Sequence, residues 1–215
     1  YHRRDVVKPK RRFIPSGVDL VIGEIDEIEA PANRVKMVDG TILDYDYLVI
    51  ATGTHPRPDQ TPGLESPEYG KTIHDFYTIE GAEALAATLR SWDGGRLAIN
   101  VIEMPIKCPV APLEFTFLAD WFFTDNGIRD NVELVYVTPL EGAFTKPVAS
   151  KALGHMLDER KVALEGDFFL MEVDAENKKL VSYDEREVPY DLLVTVPINM
   201  GADFVARSGL GNELN

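Results

Sequence analysis

The first fifty residues alternate between apolar and polar positions in a way that predicts short β-strands. Asp19–Ile25 is expected to form a strand, and Arg34–Val38 and Thr41–Leu43 are expected to form a hairpin. The Asp39-Gly40 pair between them favours a tight hairpin turn. The continuous apolar run Tyr47–Ala51 predicts a strand that is buried on both faces of a sheet.

The second half of the chain alternates between helical and strand patterns. Apolar residues recur at helical spacing in Thr78–Arg90, and helices are also predicted for Pro112–Asn126 and Pro147–Arg160. Short apolar runs predict strands at Arg96–Ile102 and Val132–Val137. Strands that alternate with helices in this order are typical of a parallel sheet in an α/β fold.

Between the two halves lies a segment rich in proline. His55–Pro67 contains prolines at positions 56, 58, 62 and 67. Proline cannot donate a backbone hydrogen bond, so this segment is expected to be neither a helix nor a central strand. We interpret it as a linker between two domains.

Part of the chain is repeated. Residues 33–51 align without a gap to residues 178–196, at an offset of 145, and share the pattern Tyr-Asp-x-Leu-Val. Upstream, Glu24-Ile25-Asp26 is matched to Glu172-Val173-Asp174, which requires a turn three residues longer in the first copy. Chance similarity of two hairpins is the alternative. Duplication of a unit made of a sheet and a β-meander explains the shared residues better than chance does.

The composition restricts the classes of protein to which this chain can belong. The chain has 215 residues, a formal net charge of −14 and 45% hydrophobic residues, so it is expected to fold as one or two globular domains. The acidity argues against nucleic-acid binding. No window approaches the roughly 18 consecutive apolar residues of a membrane span, Tyr1–Arg12 lacks the apolar core of a signal peptide, and a cytoplasmic location is expected. A single cysteine, Cys108, excludes an internal disulfide and a cysteine-based zinc site.

Six of the 22 basic residues lie within the first twelve positions, beside one acidic residue. Such a cluster is usually a solvated arm or helix end, and contact with an anion or a membrane surface is the alternative. The chain also begins at Tyr1 rather than at a methionine, so we expect it to be an internal fragment of a longer protein.

The segment Tyr45–Gly53 ends an apolar strand with Ala-Thr-Gly. It resembles the second FAD motif of the pyridine nucleotide-disulphide oxidoreductase superfamily, in which small residues let the backbone approach the flavin nucleotide. The resemblance implies a Rossmann-like parallel sheet with a β-meander in each of two dinucleotide-binding domains, and FAD as cofactor. It implies that Thr52 and Gly53 contact FAD and that Ile25 lies near the adenine end.

The same resemblance implies a domain order. Residues 1–67 would form part of the FAD domain with the linker, residues 68–197 a second domain, and residues 198–215 the return to the FAD domain. No G-x-G-x-x-G occurs in the chain. That phosphate-binding turn is expected before Tyr1, and the closing Gly-Asp motif after Asn215. We therefore expect the fragment alone to lack stable FAD binding and activity.

The second domain lacks a glycine fingerprint as well. If Glu114 is the acid that follows the fingerprint, its glycine positions fall on Lys107, Pro109 and Pro112. A dinucleotide pyrophosphate requires close backbone approach and free amides at a helix N-terminus. Binding of NAD(P)H is therefore disfavoured.

The loop that replaces the fingerprint reads Lys107-Cys108-Pro109-Val110-Ala111-Pro112-Leu113-Glu114. It is similar to the sulfide:quinone oxidoreductase and flavocytochrome sulfide dehydrogenase branch, which implies a redox-active Cys108, a sulfur substrate and a quinone acceptor. The following helix dipole and Lys107 are expected to favour the thiolate. Glu114 would handle a proton or stabilise the helix end. That branch uses two or three cysteines, so another substrate stays open.

Two alternatives stand beside this hypothesis. One is an NADH-dependent flavin reductase, and the other is a Rossmann-like binding module without catalysis. The aromatic helix, with Phe115, Phe117, Trp121, Phe122 and Phe123, is expected to pack in a core, and a quinone-facing surface is the alternative. Peripheral membrane contact is compatible with the intact protein, and the oligomeric state is left open.

Overall fold

A computed structural model describes residues 3–212, which divide into two compact units. The first unit consists of the described parts of Tyr1–Thr54 and Met200–Asn215, and the second unit is His55–Asn199. Each unit has its own buried apolar residues, one cluster in the first and two in the second. The second unit is thus inserted into the chain of the first.

The described residues form short strands and five α-helices. The strands are β1 Ile25–Glu29, β2 Arg34–Met37, β3 Ile42–Asp44, β4 Thr54–Pro56, β5 Ile73–His74, β6 Gly95–Val101, β7 Val132–Val137, β8 Val162–Glu165, β9 Leu170–Asp174, β10 Lys179–Ser182, β11 Glu187–Pro189, β12 Leu192–Val196 and β13 Asn199–Gly201. The helices are α1 Arg3–Val6, α2 Ile79–Ser91, α3 Ala111–Asp125, α4 Pro147–Glu159 and α5 Asp203–Arg207.

The second unit is built on a parallel sheet with the strand order β5-β12-β6-β7-β8. Along the chain, α2 connects β5 to β6, α3 connects β6 to β7 and α4 connects β7 to β8, as the alternating pattern predicts. The helices and strands predicted in this half are confirmed to within about two residues, and β7 has the predicted bounds. The α/β fold class is confirmed.

Apolar layers cover both faces of the parallel sheet. One layer includes Leu113, Ala119 and Phe123 of α3, packed on residues of β6 and β7. The other includes Val173 and Leu180 of the meander β9-β10-β11. Because both faces are buried, the central strands are nearly continuous apolar runs.

The two meanders confirm the repeat. The bounds of β9, β10 and β11 are those of β1, β2 and β3 shifted by 145 residues. Both copies have a left-handed residue before the middle strand, Asn33 and Lys178, each with φ of 52°. The amide of Tyr45 donates to the Asn33 carbonyl at 3.0 Å, and the equivalent amide of Tyr190 donates to Lys178 at 2.9 Å.

The gap placed upstream of the repeat is wrong. Ile28 pairs with Val35 in the first copy, and Val173 pairs with Leu180 in the second. Ile28, and not Ile25, is therefore the equivalent of Val173, and the turns have equal length. The pairings of β1 with β2 and of β9 with β10 are also interrupted at equivalent residues. The match of Glu24-Ile25-Asp26 to Glu172-Val173-Asp174 therefore gave a wrong alignment.

Two predicted strands of the first unit are wrong. Asp19–Ile25 is irregular until β1 begins at Ile25, and Tyr47–Ala51 forms no strand. Tyr47 and Val49 are 95% and 85% exposed. The equivalent β12 is buried because β5 and β6 flank it. The apolar run requires such parallel neighbours, and the described part of the first unit provides none.

The proline-rich segment packs onto the second unit. The boundary between the two units falls between Thr54 and His55, whereas the sequence predicted a linker that extends to residue 67. Leu64 is fully buried in the apolar layer of the meander. The Pro62 carbonyl accepts a hydrogen bond from the Val173 amide at 3.0 Å. The segment is thus a packed connection rather than a free tether.

Five of the six basic residues near the start of the chain lie in exposed short helices, and Lys8 lies between the two helices. Helix α1 is followed by one turn of 3₁₀-helix at Lys10–Phe13, and neither contains a buried residue.

Across residues 3–212, no helix combines the length and apolar character that crossing a membrane would require.

Replacing Gly63 with alanine is expected to destabilise the second unit by about 2–4 kcal/mol. Gly63 has φ of +85°, and an added Cβ would overlap the carbonyl oxygen of Val173. The strain of a positive φ therefore adds to a steric clash with backbone that cannot move alone. The measurement is the free energy of unfolding in urea.

Gly70→Ala, in the same unit, is the matched control for Gly63→Ala. Gly70 has φ of +85°, and no atom lies within 4 Å of the position of an added Cβ. Only the conformational strain applies there, so a cost of about 1 kcal/mol is expected. Equal costs for the two variants would contradict the packing of the proline-rich segment on β9.

Candidate functional site

The candidate site lies at the carboxyl end of strand β6 in the second unit. The loop of residues 102–110 connects β6 to α3 and contains Cys108. In open parallel sheets, ligands bind outside the carboxyl ends of the strands. The fold therefore brings the only cysteine of the sequence to the edge where such sheets carry their ligands.

Cys108 is exposed and has a left-handed backbone, with φ of +59°. This conformation costs a residue other than glycine about 1–3 kcal/mol, so surrounding contacts must hold it. The Cys108 carbonyl accepts a hydrogen bond from the amide of Ala111, the first residue of α3, at 3.1 Å. The cysteine thus lies on the turn that starts the helix.

The amino end of α3 also carries Glu114. Glu114 is exposed in the first helical turn, and its amide donates to the Val110 carbonyl at 2.9 Å. An acid at this position stabilises the helix dipole. Cys108 and Glu114 therefore both lie exposed at one helix end.

Prolines occupy the positions where a dinucleotide fingerprint has glycines. Pro112 is buried in the first turn of α3, and its carbonyl accepts from the Thr116 hydroxyl at 2.9 Å. Neither Pro109 nor Pro112 has an N–H group to donate to a phosphate. The helix end is therefore poorer in anion-binding donors than a nucleotide-binding turn.

Tyr77 contacts the cysteine loop from the segment before α2. Its hydroxyl donates to the carbonyl oxygen of Lys107 at 2.7 Å and also approaches that of Cys108 at 3.3 Å. Burial, followed by the charge of Cys108, raises the pKa of Tyr77 to about 12. The phenol therefore stays protonated, as a hydrogen-bond donor, at neutral pH.

Asp75 fixes the backbone that presents Tyr77. This carboxylate is 3% exposed, and one of its oxygens accepts from the amides of Tyr77 at 2.8 Å and Thr78 at 3.0 Å. Its other oxygen accepts from the Tyr69 hydroxyl at 2.9 Å. Thr78 caps α2, with its hydroxyl accepting from the Gly81 amide at 2.9 Å.

Stacked rings connect the same segment to α3. The rings of Phe76 and Phe115 are 5.0 Å apart and 15° from parallel, and the rings of Phe76 and Tyr77 are 5.1 Å apart. Phe115 lies next to Glu114 in the helix. The segment thus contacts both the loop and the start of the helix that follows it.

Sequence reasoning missed Tyr69, Asp75 and Tyr77. Thr78 is a favoured N-cap residue directly before the α2 pattern, which is a signal that could have located the start of this helix. Tyr77 lies 31 residues from Cys108 in the chain, and no local pattern reports that contact. Only the tertiary fold brings the two together.

The three predicted FAD-contacting residues lie in the first unit. Ile25 is partly buried against Ile28 and Phe204, so its position is that of a packing residue. Thr52 and Gly53 are exposed, and Gly53 has φ of +71° with no atom within 4 Å of the position of an added Cβ. The Ala-Thr-Gly end is therefore a turn with an accessible backbone.

Residues 3–212 contain no cluster of histidine, cysteine or acidic side chains that could hold a metal ion.

The chain is similar to several proteins of known name and to several solved structures. Family models give no match. The chain is 28% identical to the mitochondrial sulfide:quinone oxidoreductase of Dictyostelium discoideum, over 97% of this chain and 47% of the relative.

A second relative is the mitochondrial sulfide:quinone oxidoreductase of Mus musculus, with 24% identity over 96% of this chain and 47% of the relative. The solved structure of the sulfide:quinone oxidoreductase of Aquifex aeolicus has the same fold, with a TM-score of 0.73 and 21% identity over 88% of this chain and 44% of that protein. The chain spans about half the length of these relatives.

These comparisons confirm the resemblance that the Ala-Thr-Gly motif and the cysteine loop indicate. The chain is similar to sulfide:quinone oxidoreductases over nearly its whole length, and its fold is the α/β fold of that flavoprotein superfamily. The cytoplasmic location stays a prediction, since the two relatives named above are mitochondrial.

Proposed function

We propose that this chain is part of an FAD-dependent sulfide:quinone oxidoreductase in which Cys108 accepts the sulfur of the substrate. The observation that carries the proposal is the place of Cys108, exposed in a left-handed turn at the carboxyl edge of the parallel sheet. Prolines stand there where a nicotinamide-binding enzyme needs glycines. The similarity to enzymes of this name over nearly the whole chain supports it.

The residues present fit a flavin nucleotide at the Ala-Thr-Gly turn. Gly53 has a positive φ, and the space that a side chain would fill is open, so a nucleotide can approach the backbone closely. Thr52 adds a hydroxyl at the same exposed turn. We therefore propose that Thr52 and Gly53 contact FAD. When bound, FAD supplies two-electron chemistry to the enzyme.

The proposed reaction joins the Cys108 sulfur to the sulfur of hydrosulfide. One S–S bond forms, the S–H bond breaks, one proton leaves, and two electrons leave the pair of sulfurs. The electrons reduce a quinone, which takes up two protons and becomes a quinol. The thiolate is the reactive form of cysteine in such sulfur chemistry. The role of this chain is to present that thiolate.

Lys107 and Glu114 complete the proposed chemistry at the amino end of α3. Lys107 places a positive charge beside the anion that Cys108 forms, and the helix dipole acts in the same direction. Glu114, exposed in the first turn, would accept the proton that leaves hydrosulfide. Its effect on the helix dipole is independent of that role.

The NADH-dependent flavin reductase is the second candidate of the enzyme class. It would require a pyrophosphate at the amino end of α3, where Pro109 and Pro112 offer no N–H group. A binding module without catalysis would require neither FAD nor a reactive thiol. The three functions therefore differ in electron donor and in flavin content.

The test uses the complete gene product, purified without added cofactor. We expect a flavin absorbance band and reduction of a soluble ubiquinone analogue by sodium sulfide, without reduction by NADH. The measurement is quinone absorbance against time with each donor, with heat-denatured protein as the control. Reduction by NADH alone would identify the flavin reductase, and absence of both flavin and turnover would leave the binding module.

A further inference from the structure

We infer that Tyr77 is a positioning residue for Cys108. Its hydroxyl holds the carbonyl oxygens of Lys107 and Cys108 and thereby keeps Cys108 in the left-handed turn that presents the thiol. Only the catalytic consequence of this inference rests on the proposed function. The structural part stands on the contacts of Tyr77 alone.

The geometry places the hydroxyl where the loop needs support. Two successive carbonyl groups face one phenol oxygen, at 2.7 Å for Lys107 and 3.3 Å for Cys108. These two carbonyls flank the Cys108 backbone torsions, so their orientation depends on its φ of +59°. A side chain that holds both oxygens therefore opposes relaxation of Cys108 to the commoner negative φ.

The phenol is itself held rigidly. The Tyr77 amide donates to buried Asp75 at 2.8 Å, and Asp75 also accepts from the Tyr69 hydroxyl and the amide of Thr78. The Tyr77 ring is half-buried beside Phe76. Side chains with locked neighbours hold a reactive group more firmly than free ones.

The phenol also remains a donor while thiols ionise. An ordinary cysteine thiol ionises near a pKa of about 8.5. Burial and the charge of Cys108 raise the pKa of Tyr77 to about 12. The phenol therefore still has its proton to donate to these carbonyl oxygens at a pH where an ordinary thiol has ionised.

The experiment removes the hydroxyl and keeps the ring. Tyr77→Phe is expected to raise amide hydrogen exchange in the peptide of residues 103–111 by about fivefold. Tyr183→Phe, which makes the same change at an exposed tyrosine elsewhere in the second unit, is the control. It is expected to leave the exchange of this peptide unchanged.

A second measurement reports the backbone directly. The one-bond Cα–Hα coupling of Cys108, measured by NMR, distinguishes positive from negative φ, and we expect the positive-φ value to be lost in Tyr77→Phe. Adding Cys108→Gly should restore slow exchange in the loop, because glycine adopts a positive φ without strain. This rescue would not follow from general destabilisation.

The outcomes separate the two proposals. Unchanged exchange and coupling in Tyr77→Phe would overturn the positioning role, whatever the enzyme does. In the intact enzyme, Tyr77→Phe is expected to lower kcat with sulfide about tenfold and leave the KM for quinone unchanged. If exchange and coupling change while kcat with sulfide does not, the positioning role stands and its catalytic consequence is refuted, whereas failure of the sulfur-accepting role itself would appear in Cys108→Ser.

Discussion

The intact enzyme with Cys108→Ser is expected to lose sulfide-dependent quinone reduction by about a thousandfold or more. Serine has nearly the shape of cysteine, so the turn before α3 should persist. Its hydroxyl does not form a sulfur–sulfur bond and does not ionise at neutral pH. The measurement is the steady-state rate with sodium sulfide and a soluble quinone, together with the flavin absorbance of the purified variant.

The control for Cys108→Ser is Val110→Ala. Val110 is an exposed residue of the same loop, and its truncation leaves the thiol in place. We expect this variant to keep its rate within about threefold of the wild type, because surface substitutions usually change stability little. A Cys108→Ser enzyme that retains a tenth or more of its rate would refute the sulfur-accepting role.

Phe123→Ala is expected to destabilise the second unit by about 3–5 kcal/mol. Phe123 lies on α3, is 0% exposed, and packs against the parallel sheet and the Trp92 ring, 5.4 Å away. Removing the ring leaves a cavity that neighbouring residues can fill only in part. Urea unfolding followed by circular dichroism measures the change.

Trp121→Ala is the matched control on the same helix. Trp121 is 61% exposed, so truncating it removes little buried surface. A change below about 0.5 kcal/mol is expected for such a surface position. Comparable losses for the two aromatic residues would contradict the orientation of α3 on the sheet.

These two residues also show what the sequence could predict about α3. All of its aromatic residues were expected to pack in a core, and this is confirmed for Phe123. It is wrong for Trp121, which faces outward. The helix is apolar on most of its circumference, so periodicity alone does not identify the buried side.

In the second unit the sequence predicted helices α2, α3 and α4, the central strands β6, β7 and β12 and the parallel class, but not the edge strands β5 and β8. The central strands were predictable because each has its neighbours in the same chain segment. In the first unit it failed at Tyr47–Ala51, where the apolar residues are present and residues 3–212 supply no strand that pairs with them. An apolar run reports that a strand can be buried. Whether it is buried depends on partners that a local pattern does not contain.

For the site, the sequence identified Cys108 and the loop through its proline and cysteine letters. It did not identify the contacts that hold Cys108, because Tyr77 acts across 31 residues through one hydroxyl. Ile25 was matched to Val173 in the repeat, whereas the register of β1 makes Ile28 the counterpart of Val173. The place of Ile25 near the adenine end of FAD stays a prediction from the family resemblance.

The insertion of one unit into the other has a genetic consequence. His55–Asn199 contains 145 residues, which is also the offset between the two copies of the repeat. A recombination event between equivalent positions of the copies would excise that number of codons in frame. The product would run from the first meander directly through the β12 sequence into α5. Such an event would keep the reading frame and would place β12 where Tyr47–Ala51 stands in the present chain.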